Sequence, residues 1–141
     1  VQELAMPVEV VGLPILRAAD GLALSSRNRY LSAQERQQAV GLYQALQATR
    51  QARQEGAVEV WISKHHEARQ ADNPLVPVAR KVLADHGIKE VEYIALRHAE
   101  TLEPLPTEQM QVNFPAPVMP IAARLGATRL IDNMVLSVDP A

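Results

Sequence analysis

Residues 118–138 read VMPIAARLGATRLIDNMVLSV. Two apolar runs, Val118 to Arg124 and Arg129 to Val138, flank Leu125-Gly126-Ala127, and this spacing predicts a hairpin. Upstream, Val91, Tyr93 and Ala95 alternate with Glu92, Ile94 and Leu96, which predicts a third strand. A proline-rich loop from Pro104 to Pro117 links it to the hairpin. Before these strands the period changes from two to 3.6. Ser32 followed by Glu35 forms a capping box, and Ala39, Leu42, Tyr43 and Leu46 mark a buried helical stripe that Gly56 ends. Residues 58–70 read as a further helix. Asn73-Pro74 starts another, with the proline at the first helical position, an apolar strip of Val78, Val82 and Leu83, and a stop at Gly87. The expected fold class is therefore α+β: two to three helices on one face of an antiparallel three-stranded sheet.

The N-terminal stretch follows a different pattern. VQELAMP reads as the last turn of a helix stopped before Pro7. Residues 8–16, VEVVGLPIL, are apolar on nearly every position and rich in β-branched residues. A strand apolar on both faces belongs in the middle of a parallel sheet covered by helices on both sides. No second strand of that kind follows a crossover helix here. The segment is expected to be one strand left over from such a sheet, and the chain, which begins with Val1, a piece of a longer protein.

Composition narrows the functional classes. Apolar residues make up 48% of the 141, enough for a packed core rather than a disordered tail. Net charge is −2 with both signs interspersed, which argues against a nucleic-acid groove or an anionic membrane surface. Trp61, Phe114 and three tyrosines are scattered, not gathered into a stacking platform. There is no cysteine, hence no disulfide framework and no thiolate metal site, which fits a reducing cytoplasm. No run of apolar residues reaches the roughly 18 needed to span a bilayer, and no signal peptide is visible.

The chemistry is concentrated in the loop after residue 16, DGLALSSRN at positions 20–28. Adjacent hydroxyls followed by a guanidinium, just past the carboxyl end of a buried strand, suit an anionic ligand such as phosphate. The same composition also describes a solvated turn whose Ser and Asn bond their own backbone. Elsewhere the residues favour structural roles. His65 and His66 are adjacent, so on a helix they diverge by about 100° and cannot share a metal; no metal site is expected. His86 stands where it would cap a helix end. Asp132 and Asn133 are expected to bond nearby backbone. Arg124 and Arg129, on either side of the hairpin turn, are expected to pair with Asp132 or a helix acid, or to face the loop at residues 20–28.

Two stretches carry a family resemblance. DGLALSSRNRYLS at residues 20–32, with Glu35, Arg36 and Ala39 after it, resembles the signature loop of the pantothenate synthetases, and AARLGATRLIDN at residues 122–133 resembles that family's C-terminal signature. Residues 57–120 follow the family only in general pattern. The resemblance implies an ATP-dependent, AMP-forming ligase that activates pantoate with ATP and Mg²⁺ to a pantoyl adenylate. The amine of β-alanine then attacks the adenylate to give pantothenate. It implies that residues 1–19 are the end of an N-terminal Rossmann-like domain, that residues 20–32 form a KMSKS-like ATP-binding loop, and that residues 33–141 form a C-terminal lid. By position, Leu24, Ser25, Ser26 and Arg27 would grip the ATP phosphates and Leu16 would contact adenine through its backbone. The family's His-x-Gly-His segment does not occur in this sequence, so this chain alone is expected to be inactive. Expected partners are ATP, pantoate and β-alanine, with no nucleic acid, no membrane and a homo-oligomeric assembly. The alternative is a stand-alone protein-binding or dimerisation module without catalysis. An RNA-contacting appendage is disfavoured by the acidic balance.

Overall fold

The computed structural model describes residues 4–58, 73–105 and 116–137. Helix α1 spans Ala33–Gln54 and begins where its sequence dictates. The Ser32 hydroxyl accepts from the Glu35 N–H, and the Glu35 carboxylate accepts in return from the Ser32 N–H. Ala39, Leu42, Leu46, Thr49 and Arg53 recur at three- and four-residue spacing and are all buried, whereas Tyr43 lies at the edge of this stripe, half-buried. Gly56 ends the helix at φ +80°, a conformation that glycine adopts without steric cost.

Helix α2, Leu75–Asp85, is started by Asn73, whose side-chain oxygen accepts from the Leu75 N–H. Pro74 therefore sits at the cap and not inside the first turn. The buried face is Leu75, Ala79 and Leu83; Val78 and Val82 flank it, half-buried. The expected strip thus lies one step around the helix. The C-terminus is a Schellman motif: Ile88 N–H donates to the Leu83 carbonyl and Gly87 N–H to that of Ala84, with Gly87 at φ +73°. The two helices approach closely where α1 carries Gly41. A Cβ there would come within 2.7 Å of His86 Cβ. His86 stands at the helix end, where an exposed cap role was expected, but it is half-buried at this crossing, with Nδ1 2.9 Å from the Val82 carbonyl.

The sheet has the order β1 (Glu90–Ile94), β2 (Val118–Leu125), β3 (Thr128–Val135), antiparallel throughout. The hairpin turns on Gly126-Ala127 with φ +56° at the glycine alone, the pattern of a type II′ turn. The third strand ends at Val135, and Val138 lies outside the described residues. Met119, Ile121, Ala123, Leu125 and Leu130 face the helices and form the core with Leu42, Leu46, Leu75 and Leu83. Burial of each large side chain contributes about 1.5–3 kcal/mol. Arg53, near the end of α1, donates to the Leu136 carbonyl and ties the end of β3 to the helix.

One expectation needs correction, and one is not met among the described residues. The strict alternation from Val91 to Leu96 is broken by a β-bulge between Val91 and Tyr93, so Glu92 and Tyr93 are both exposed while Ile94 and Leu96 are buried. The strand expected at residues 8–16 is not seen: no described strand pairs with it, and Val8, Val10, Val11, Leu13, Ile15 and Leu16 are all exposed. A strand of the buried-sheet type needs neighbours on both edges, and the described residues supply none. Of the helix expected at residues 58–70 only Val58 is among the described residues, where it is helical and buried, and most of the proline-rich loop lies outside them.

Candidate functional site

The loop after residue 16 is a narrow-necked turn followed by a short helix. At its neck Arg17 and Ala23 face each other across an antiparallel bridge, Leu24 N–H donates to the Leu16 carbonyl at 2.9 Å, and Ala18 N–H donates to that of Leu22 at 2.9 Å. A 3-10 helix, Ser26–Tyr30, follows directly. Most of the signature residues have a visible structural task. Asp20 accepts from both terminal nitrogens of Arg36, at 2.7 and 3.1 Å, and fastens the turn to the first turn of α1. The Arg36 guanidinium holds the Asp20 carboxyl below its ordinary range. Gly21, at φ +91°, lies against Tyr43 so closely that a Cβ would come within 2.0 Å of the ring. Asn28 Nδ2 donates to the Ala23 carbonyl at 3.0 Å. Glu35, the partner of Ser32 in the capping box, lies against the hairpin tip, where a Cβ on Gly126 would meet its carboxylate at 2.2 Å.

These contacts bring the two signature stretches together. Arg17 reaches β3, where its guanidinium grips the Asp132 carboxylate through two hydrogen bonds of 2.6 and 2.9 Å. Arg17 also donates to the Gly21 carbonyl at 3.0 Å and lies 4.2 Å from the centre of the Tyr43 ring. The expected partner of Asp132 was a neighbouring backbone group; Asn133 N–H does donate to it, but the ion pair with Arg17 dominates. Arg124 and Arg129 pair not with Asp132 or a helix acid but with one carboxylate, Glu92, at 2.8 and 2.6 Å. The bulge in β1 exposes Glu92 beside both. The Arg129 contact, reinforced by Arg124, lowers the Glu92 carboxyl below its ordinary range, and Glu92 in turn raises Arg129.

Between the loop and the edge of β3 lies a cleft of about 240 Å³, walled by residues 22–25, Arg27 and Asn28 on one side and by residues 129–132 on the other, with Leu42 between. Pockets that enclose a whole small ligand run to about 300–1,000 Å³, so this one suits part of a ligand. Of the residues expected to bind ATP, Leu24, Ser25 and Arg27 line it. Ser26 stands between them, exposed. Leu16 lies at the neck, outside it. Ser25 Oγ accepts from the Arg27 N–H at 3.2 Å and so caps the short helix, but its own O–H remains available to donate. Ser26 and Arg27 side chains have no hydrogen bond or ion pair among the described residues. The Leu24 N–H is committed to Leu16, so Leu24, 60% exposed, offers the cleft its side chain. Asn28 Oδ1 is a buried acceptor with no partner among the described residues. No cluster of three or more potential metal ligands occurs among them either.

The sequence profile of the pantoate-beta-alanine ligases matches residues 1–135. The chain belongs to that family. It is 46% identical over 140 residues to a pantothenate synthetase of Magnetococcus marinus, covering 99% of this chain and 42% of that protein. It is 40% identical to a bifunctional pantoate ligase/cytidylate kinase of Synechococcus elongatus, over 96% of this chain and 23% of that protein. The crystal structure of pantothenate synthetase from Thermus thermophilus superposes with a TM-score of 0.75 at 34% identity, over 96% of this chain and 43% of that one. The chain thus spans about two-fifths of the length of most of these ligases. Reasoning from sequence found the hydroxyl and guanidinium residues of the cleft and allowed that Arg129, which lines it, would face the loop, but it missed Arg17 and Tyr43, which brace the loop beside the cleft. One signal was available. Asp132 has the same parity in its strand as Leu130 and Met134, which places a carboxylate on the buried face, where it requires a partner.

Proposed function

We propose that this chain is the C-terminal part of a pantothenate-forming ligase and supplies the loop that holds the ATP phosphates and the lid that covers them. In the reaction a carboxylate oxygen of pantoate attacks the α-phosphorus of ATP and pyrophosphate leaves, giving pantoyl adenylate. The amine of β-alanine then attacks the acyl carbon and AMP leaves. Ser25, Ser26 and Arg27 donate to phosphate oxygens, and Arg27 offsets the charge that develops on the departing pyrophosphate. Leu24 packs beside the phosphates, and the backbone of Leu16 meets the adenine. The observation that carries this reading is a division within the loop. Asp20, Gly21, Asn28 and Ser32 are used to build it, while Ser26 and Arg27 are presented without internal partners.

Residues 33–141 act as the lid, residues 20–32 as the ATP loop, and residues 1–19 belong to the Rossmann-like domain of the complete ligase. There the exposed stretch at residues 8–16 enters a parallel sheet. Mg²⁺ arrives with ATP. The one carboxylate of the cleft, Asp132, has both oxygens engaged by Arg17, so none of the described residues is assigned to the ion. The complete ligase is proposed to act in the cytoplasm. No helix among the described residues is long and apolar enough to cross a membrane. In the absence of the other domain, copies associate through residues 8–16, which a sedimentation experiment on this chain detects.

The test is made in the complete ligase. With ATP, Mg²⁺, pantoate and β-alanine it forms pantothenate and AMP, whereas residues 1–141 alone do not. Arg27→Ala slows adenylate formation by about 2–4 kcal/mol, roughly 30- to 1,000-fold, while pantoate binding is retained. Unchanged pre-steady-state adenylate formation in that variant would remove Arg27 from the site.

A further inference from the structure

Arg17 and Asp132 are separated by 115 positions in the sequence, yet they make the closest side-chain link between the loop and the sheet. Asp132 points from β3 toward the core, and its side chain is 2% exposed. A carboxylate at that depth is tolerated only when paired and hydrogen-bonded. A well-packed apolar pair would hold two elements together at least as firmly, so a buried ion pair is a poor device for stability alone. Its distinguishing property is direction. A forked guanidinium on a carboxylate fixes both distance and orientation. Arg17 adds two more constraints, the Gly21 carbonyl and the face of Tyr43 on α1. One side chain thus sets the angle between the loop, β3 and α1.

The place of this clasp matters. Arg17 is the first residue inside the neck, whose other hydrogen bond joins Leu16 to Leu24. Everything from Leu24 to Arg27 hangs from that neck. Asp132 also lines the cleft, where a bare negative charge would repel phosphate; Arg17 neutralises it. We infer that Arg17 and Asp132 are a positioning pair for the adenylate-forming step, orienting the loop so that Ser25, Ser26 and Arg27 meet the phosphates, without touching the nucleotide themselves. This inference rests on the ligase reading.

The experiment uses Asp132→Asn and Arg17→Lys in the complete ligase, with two readouts. The first separates the half-reactions. Adenylate formation by Asp132→Asn falls by about tenfold or more, KM for pantoate stays within roughly twofold, and aminolysis of supplied pantoyl adenylate by β-alanine is unaffected. A general folding defect would slow both halves. Arg17→Lys retains the charge but not the fork, and it also slows adenylate formation. The second readout is amide hydrogen exchange. Leu22 and Leu24 lose protection in both variants while α1 keeps its own. Folded variants with full adenylate formation and unchanged exchange at Leu22 and Leu24 overturn the proposal. If Asp132→Asn does not fold, Arg17→Lys decides by the same criteria. A parent protein that makes no pantoyl adenylate refutes the ligase reading, and the exchange readout then decides whether the clasp orients the loop.

Discussion

Replacing Gly21 by alanine tests whether the loop is braced by the helix behind it. The substitution has two separable costs. The first is conformational: φ +91° is a region that an L-residue with a Cβ enters at about 1–2 kcal/mol. The second is steric, because the new Cβ would lie 2.0 Å from Tyr43 Cδ1 and 2.5 Å from Cε1. Overpacking of this kind costs about 1–3 kcal/mol. The ring cannot simply turn aside, since Arg17 lies 4.2 Å from its centre and is itself held by Asp132. Gly21→Ala should therefore destabilise the protein by about 2–5 kcal/mol, the sum of the two terms. Tyr43→Ala removes the obstacle but not the strain. The double variant should then be more stable than the sum of the singles by about 1–3 kcal/mol. Urea unfolding followed by far-UV circular dichroism measures all four proteins, with an unchanged denaturant slope as the check that the states being compared are the same. Additivity within about 0.5 kcal/mol would mean that ring and turn are independent, and the bracing argument would fall.

Three further outcomes follow from the same geometry. Ser32→Ala removes one half of the capping box and should lower stability by about 1 kcal/mol, read as a fall in Tm; no fall would mean that Glu35 caps the helix without it. Glu92→Gln leaves Arg124 and Arg129 side by side as unneutralised like charges and should destabilise the protein at neutral pH. Because the folded state depresses the Glu92 carboxyl, its contribution is complete above the ordinary glutamate range and is lost as pH falls through the depressed value; the unfolding curves of parent and variant should converge as that value is passed, and a difference that stays constant through the acid range would contradict the assignment. Arg27→Lys in the complete ligase should recover only part of the adenylate formation lost in Arg27→Ala, because a point charge does not reproduce the guanidinium fork; full recovery would reduce the role of Arg27 to charge alone.

Features decided by neighbours in sequence were legible before the structure. The start of α1 needs only Ser32 and Glu35, and its buried stripe needs only the helical period. The β2–β3 hairpin needs only two apolar runs and a glycine. Features decided across the fold were not. The bulge in β1 is set by how Val91 and Tyr93 register against Ala123 and Ala122, leaving Glu92 between them, which no local pattern announces. The buried face of α2, Leu75, Ala79 and Leu83, is set by packing within the shared core and not by its own sequence alone. The clasp joins residues whose partnership exists only in three dimensions. The N-terminal stretch shows the converse. Its apolar pattern is legible, but a strand is a pairing and not a property of a segment, and the described residues offer residues 8–16 no neighbouring strand.

The loop also shows why a signature can identify a family more firmly than it identifies a residue's task. Of the positions quoted from it, Asp20 grips Arg36, Gly21 gives way to Tyr43, Asn28 ties back to Ala23, and Ser32 starts α1. Each of these would be required by the shape of the loop whatever it bound. Ser26 and Arg27 are not required by that shape, because nothing among the described residues uses their side chains. A chain that kept the first set and replaced the second would retain the loop and the match to the family, and would lose the phosphate contacts proposed for Ser26 and Arg27. The assignment to a family and the assignment of phosphate binding therefore rest on different residues. Only the second is put at risk by substitution at Ser26 and Arg27, which makes those two positions the ones where the chemistry is open to direct experiment.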